Sequence, residues 1–296
     1  MRLIAVFIII NVVLALFILR AQEILTVFHI KEYGQGLVER IALPSSPRST
    51  TSSQEESAGP AEEHLKEEPE QQKGISIDFG LVGSLSHTYL QQKPFGSLVV
   101  EVDYVKTVPP NQGALRDLFS TIDKYADKPG GIFFSSGNEF SSSAQRYTID
   151  DLNAIMRANR SSYTADGTAA VIYIVYLNGA FSENEAALGV VWSASSIAIF
   201  KEQMSNALTT KIFLPGLERS VLFHELGHLW GLVNINYQSE RAHEDTGHLN
   251  HSPNTESVMY WAVEDVSVGN VLTSGLPTKF DSDDEADLAK IKSGAY

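Results

Sequence analysis

His224-Glu225-Leu226-Gly227-His228, continued by Leu229-Trp230-Gly231, sets two imidazoles four residues apart with a carboxylate between them. On a helix, residues at that spacing lie one above the other on a single face, so both rings can offer a nitrogen to one tetrahedral metal ion. Glu225 is left unligated beside that ion. A carboxylate so placed can take a proton from water whose pKa the ion has lowered, which attack on an amide carbonyl at neutral pH requires. Three fixed residues also recur by chance, as surface histidines on an ordinary helix. The context argues otherwise: five of the eight histidines, His224, His228, His243, His248 and His251, fall within one stretch of the chain. Leu217, Val221, Leu222, Leu226 and Leu229 supply the helix with an apolar surface to bury, and Pro215-Gly216 stands before it. The pattern predicts a helical zinc hydrolase site in which His224 and His228 bind the ion and Glu225 is the general base.

A third protein ligand must follow, with the fourth metal position left open for water. Gly231, three residues past His228, is the expected breaker, because glycine takes the left-handed conformation that ends a helix and turns the chain. The stretch resembles the metzincin metallopeptidases, whose HExxHxxGxxH pattern precedes a methionine-containing turn beneath the metal. The third-ligand position of that pattern falls here on Asn234, a poor zinc ligand, which is read instead as a cap on the broken helix end. Further on, His251-Ser252-Pro253-Asn254-Thr255-Glu256-Ser257-Val258-Met259-Tyr260 is similar to the segment joining third ligand to Met-turn in matrix metallopeptidases and archaemetzincins. Met259 follows His251 by eight residues, as in those families. Archaemetzincins are the nearer likeness, with Ser252-Pro253 and Ser257-Val258 standing where that family has Cys-Pro and Cys-Val.

The resemblance implies one catalytic zinc ion, His251 as third ligand, Met259 as the apolar floor of the site, and a peptide or protein substrate. It also implies an insertion of 17 residues, Asn234 to Asn250, between the glycine turn and the third ligand. The serines at 252 and 257 remove the cysteines of that family's second zinc site. Two other ligand sets stay open. His243, Asp245 and His248, from the run HEDTGH inside the insertion, have the donor types for the third position or for a secondary metal ion, and serve equally as a solvated polar loop. In gluzincins the third ligand is a glutamate on a later helix, and Glu285 lies in an acidic run that suits a helix N-terminus equally well.

Outside this stretch, residues 3–19 are apolar except for Asn11 and lie at the short end of what spans a bilayer. Without a clear small-x-small cleavage site, residues 1–21 are expected to form an uncleaved signal anchor, a single transmembrane helix. Residues 22–43 read as a juxtamembrane stalk. Residues 44–73, rich in Ser, Pro, Glu and Gln with only Leu65 as a large apolar residue, form an acidic flexible linker. Basic residues flank the apolar run on both sides, so charge counting does not fix orientation; export is the commoner use, and the catalytic domain is expected outside the cytoplasm. The absence of cysteine excludes disulfides and thiolate ligands, and a net charge of −14 without a basic patch argues against nucleic acid as a partner.

Residues 74–296 suffice for one well-cored domain. Strands are expected at 74–80, 97–105, 131–135 and 168–177, one or two more within 188–200, and helices at 114–126, 149–159 and 285–293. The expected fold class is α+β with an α/β-like N-terminal half: a metzincin-type zincin domain with a mixed twisted sheet, active-site helix, Met-turn and C-terminal helix. In that family the edge strand above the cleft pairs with substrate, which places the stretch Gly189 to Ser196 here, otherwise an ordinary hydrophobic strand. Two functions follow: a membrane-tethered zinc endopeptidase, or a catalytically inactive tethered module that binds peptides through the same fold.

Overall fold

The computed structural model describes residues 77–208, 210–264 and 275–296. The anchor, stalk and linker expected at 1–21, 22–43 and 44–73 lie outside them. Among the described residues no helix is long and apolar enough to cross a membrane.

The chain runs α1 (Ser86–Leu90), β1 (Ser97–Val105), α2 (Gln112–Tyr125), β2 (Gly131–Phe140), β3 (Arg146–Tyr147) and α3 (Ile149–Asn159). It continues with β4 (Ala170–Leu177), β5 (Ala180–Phe181), β6 (Gly189–Ser193), β7 (Ser196–Phe200), α4 (Lys201–Ala207), α5 (Leu214–Leu229) and α6 (Ser282–Ser293). Five strands form one sheet in the order β2-β1-β4-β7-β6, parallel throughout except for β6, which runs antiparallel to β7 at the edge. A short second sheet pairs β3 with β5.

The β-branched and aromatic run AVIYIVYL forms β4, buried over its whole length as a central parallel strand should be. Its side chains alternate between two cores. Ile172, Ile174 and Tyr176 pack with Leu118 and Ile122 of α2 and with Val221 and Leu222 of α5. Tyr173, Val175 and Leu177 pack on the other face with Leu152 and Met156 of α3. Helix α3 begins where Thr148 and Asp151 cap each other reciprocally, and α6 where Asp281 and Asp284 do the same.

Residues 77–80 are not the strand expected there. Ile77 and Asp78 are helical, and the chain turns at Phe79 and Gly80, with Gly80 N–H donating to the Ile77 carbonyl. Asp78 explains it: its buried carboxylate pairs with Arg160 at 2.9 Å and accepts from the Thr164 and Ala165 amides, which a strand pairing would not permit. The stretch 188–200 is two strands joined by a tight turn, β2 runs on to Phe140, and α6 starts three residues before Glu285. Helix α5 takes Pro215 into its first turn, where the missing N–H costs nothing, so Pro215-Gly216 opens the helix rather than preceding it.

Candidate metal centre

Helix α5 passes beneath the sheet with polar as well as apolar residues enclosed; His224 and Glu225 are fully buried and His228 nearly so. Past Leu229 the helix ends as its glycine predicts. Gly231 has φ +81°, its N–H donates to the His228 carbonyl, and Leu232 N–H reaches back to the Gly227 carbonyl, the paired bonds of a Schellman turn. Asn234 does not cap the helix. It sits in the left-handed region at φ 66°, accepts from the Ser239 amide and donates to Glu244, whose other carboxylate oxygen accepts from Asn250 N–H. Glu244 thereby ties both ends of the insertion together, and the 17-residue detour returns His251 close to where it left.

The rings of His224, His228 and His251 meet. His224 lies 4.6 Å from His228 and 5.2 Å from His251, and His228 lies 4.9 Å from His251, centroid to centroid. The Nε2 atoms of His224 and His228 are 3.0 Å apart. A tetrahedral zinc ion with metal–nitrogen distances of about 2.0 Å needs its donors about 3.3 Å from one another, so a small parting of the two rings admits the ion. The remote ring atoms set the tautomers. His224 Nδ1 donates to the Val258 carbonyl at 2.7 Å and His251 Nδ1 to the Leu249 carbonyl at 2.9 Å, leaving both Nε2 lone pairs facing inward. The Val258 carbonyl belongs to the turn carrying Met259, which is fully buried against the helix. A Cβ on Gly227 would come within 2.2 Å of Met259 Sδ, so the small residue between the two histidines admits the methionine beneath them.

Glu225 is enclosed with both carboxylate oxygens lacking a hydrogen-bond partner. Burial raises its pKa strongly, and the charge of Glu264 adds to the effect; the Val191 amide of β6 pulls the other way from outside hydrogen-bonding geometry. His228, enclosed beside His224, is held well below the ordinary imidazole range. Burial opposes protonation of His251, and the adjacent Glu264 outweighs it. Strand β6 borders the site so closely that a Cβ on Gly189 would lie 2.6 Å from Glu225 Oε1.

The alternative ligands go elsewhere. His243 Nε2 is 2.8 Å from Asp287, and its donor atoms group with Asp281 and Asp283 rather than with the α5 histidines. That group's carboxylates are committed: Asp281 caps α6 and Asp283 pairs with Arg241. Asp245 and His248 bond each other in a tight exposed loop, with the His248 ring stacked on Trp261 at 4.1 Å. Glu285 binds Lys124 and Tyr125 on the surface. Ser252 and Ser257 are occupied as well: Ser257 donates to Asp284, and Ser252 accepts from the Asn254 amide.

One member of the site has no counterpart in the sequence reading. The Glu264 carboxylate reaches in from the segment after Met259, with Oε2 3.3 Å from His224 Nε2 and 3.8 Å from His228 Nε2, and Oε1 3.3 Å from His251 Nε2. Burial would raise its pKa; the His224 and His251 rings outweigh that and hold it far below the ordinary carboxylate range. The four donors His224, His228, His251 and Glu264 lie within 4.8 Å of one another. No motif spacing announces a glutamate five residues past the methionine.

No family model matches the sequence, and no curated protein matches it. Among solved structures the chain is similar to an archaemetzincin from Methanopyrus kandleri, at 13% identity over 67% of this chain and 97% of that one, with a TM-score of 0.43. It is also similar to metalloproteinase-II from Bacteroides fragilis, at 13% identity over 74% of this chain and 60% of that one, with a TM-score of 0.38. Likenesses at this level carry nothing about chemistry, which rests on this chain's own side chains.

Proposed function

We propose that the protein is a zinc-dependent endopeptidase whose metal is held by His224, His228 and His251. The observation that carries the reading is the conjunction of three inward-facing Nε2 atoms with an enclosed, unpartnered Glu225 carboxylate. Three imidazoles suit zinc, and an orphaned buried carboxylate costs folding energy that an ion and its water would recover. A zinc ion bound there supplies Lewis acidity, polarising the scissile carbonyl and acidifying water. Glu225, enclosed beside the rings, takes the proton of the attacking water and returns it to the departing amine. Strand β6, at the edge of the sheet and against Glu225, offers unpaired backbone groups to an extended peptide.

On sequence grounds alone, residues 1–21 anchor this domain to a membrane, 22–73 tether it and 74–296 form the catalytic domain, placed outside the cytoplasm. Alkaline extraction of the full chain from membranes would release it if residues 1–21 are no anchor.

The test of the enzyme is paired. Glu225→Ala in the full chain is expected to keep zinc and lose peptide cleavage. His251→Ala is expected to weaken zinc binding by more than about 100-fold, since even residues that merely orient a ligand cost about 10–100-fold. Unchanged zinc content in His251→Ala would remove that residue from the ligand set. Zinc binding with no cleavage by the wild type would favour the peptide-binding module.

A further inference from the structure

A catalytic zinc site keeps one coordination position open, whereas a closed set of four protein donors marks a site that does not turn over. Here the fourth corner is filled. Glu264 Oε2 stands 3.3 and 3.8 Å from the Nε2 atoms of His224 and His228, which are themselves 3.0 Å apart, and Glu264 Oε1 stands 3.3 Å from His251 Nε2. These separations bracket the spacing of about 3.3 Å in a tetrahedral ion's shell, so a metal held by the rings would have this carboxylate within reach of the corner left for water. Resting on the metal-centre reading above, we infer that Glu264 is a fourth metal ligand, closing the site in the resting protein, and that substrate or an activating step must displace it.

Three features make displacement the reading rather than a permanently closed site. Glu225 stays enclosed and unpartnered beside the cage, and a purely structural ion has no use for a general base. The Glu264 side chain is 31% exposed, while His224 opposite it is fully buried, so the carboxylate has a way out to solvent that the rings lack. Its main chain is fixed separately: the Glu264 carbonyl accepts from Leu188 N–H at 2.6 Å, immediately before β6. The side chain can therefore swing away while the backbone holds, and it stands at the entrance of the edge strand along which a peptide would lie. The same main-chain bond survives truncation of the side chain.

The test uses the full chain, zinc and cobalt(II), with Glu264→Ala and the shape-preserving Glu264→Gln. Both variants are expected to bind zinc roughly 10-fold or more weaker in chelator competition. Azide is the probe of the corner in the cobalt-loaded proteins. It should shift the visible absorption of both variants at concentrations at least about tenfold below those needed for the wild type, because only the wild type must first release a carboxylate. Peptide cleavage by the variants should exceed that of the wild type at saturating zinc. Equal azide affinity in wild type and variants would overturn the inference. Failure of the wild type to take up zinc or cobalt would overturn it together with the metal-centre reading. An azide difference without cleavage by any form would leave Glu264 as a ligand and remove the peptidase.

Discussion

Two buried polar clusters lie in the same domain and are built in opposite ways. Around Arg160 and Asp78, both fully enclosed, every charge is answered: the guanidinium binds Asp78, Ser195 and the Ser162 carbonyl, and Asp78 accepts from the Thr164 and Ala165 amides. Around His224, His228 and His251 the accounts stay open. Both oxygens of Glu225, Nδ1 of His228 and Nε2 of His251 have no hydrogen-bond partner although each is buried. A closed network of this kind fixes the path of the chain, while an enclosed set of unanswered donors and acceptors marks a place where something else binds. The contrast separates structure from function without reference to any relative.

Removing one charged group from each cluster tests it most severely. Glu225→Gln is expected to lower cleavage by about 10²–10⁴-fold, the range for loss of a general acid-base group. The thermal stability of the zinc-free protein should hold or rise, because the carboxylate has no partner to lose. Arg160→Met is expected to do the reverse. It strands the Asp78 carboxylate, at a cost of about 3–5 kcal/mol in denaturant unfolding, while the zinc bound per folded molecule stays the same. A destabilised Glu225→Gln, or an Arg160→Met variant of normal stability, would break the distinction.

A milder substitution probes the border between the sheet and the open cluster. Gly189→Ala puts a methyl group 2.6 Å from Glu225 Oε1, with the three nearest atoms all in the Glu225 side chain, so it is the carboxylate that must move. Misplacing a catalytic group by about 1 Å costs on the order of 100-fold, so kcat should fall by about that much with zinc affinity unchanged. An equal loss of zinc would show that β6 shapes the ligands and not the base.

What the sequence made legible follows from range. The pair His224 and His228 with Glu225 is written in one helical turn, and the strand at 97–105 and the helix at 149–159 appear where local pattern and a Thr148 cap put them. His251 was reachable through the spacing to Met259, a local signal too, although an insertion precedes it. Most of the failures lie in polar contacts that local pattern does not report. Asp78 meets Arg160 across 82 positions and bends an expected strand into a turn. Asn234 serves Glu244 and Ser239 instead of the helix end, and Glu264 arrives at the rings from a segment whose residues carry no ligand pattern. Apolar periodicity reports which face of an element is buried, and it is silent on which buried polar groups will meet.

A third cluster shows why an unpartnered atom alone is not enough to mark a site. Asp284 Oδ1 and His243 Nδ1 are both buried without hydrogen bonds, 3.7 Å apart, yet their other atoms are engaged, Asp284 Oδ2 by Ser257 and the Asp281 amide and His243 Nε2 by Asp287. A proton answers this pair. Burial pushes the Asp284 carboxyl up to about 7, and the Asp287 hydrogen bond raises His243 against the opposing effect of its burial. Both folded-state values lie above those of the unfolded chain, so the stability these groups contribute is full at low pH and is lost as pH rises through neutrality. Asp287 is shifted the other way, by His243 and Ser239 against its burial, and acts only at the acid end. Asp284→Asn should therefore flatten the fall in stability between pH 5 and 8 by on the order of 2 kcal/mol, read from urea midpoints across that range. An unchanged slope would mean that Asp284 is ionised throughout and that its enclosure does not raise its carboxyl.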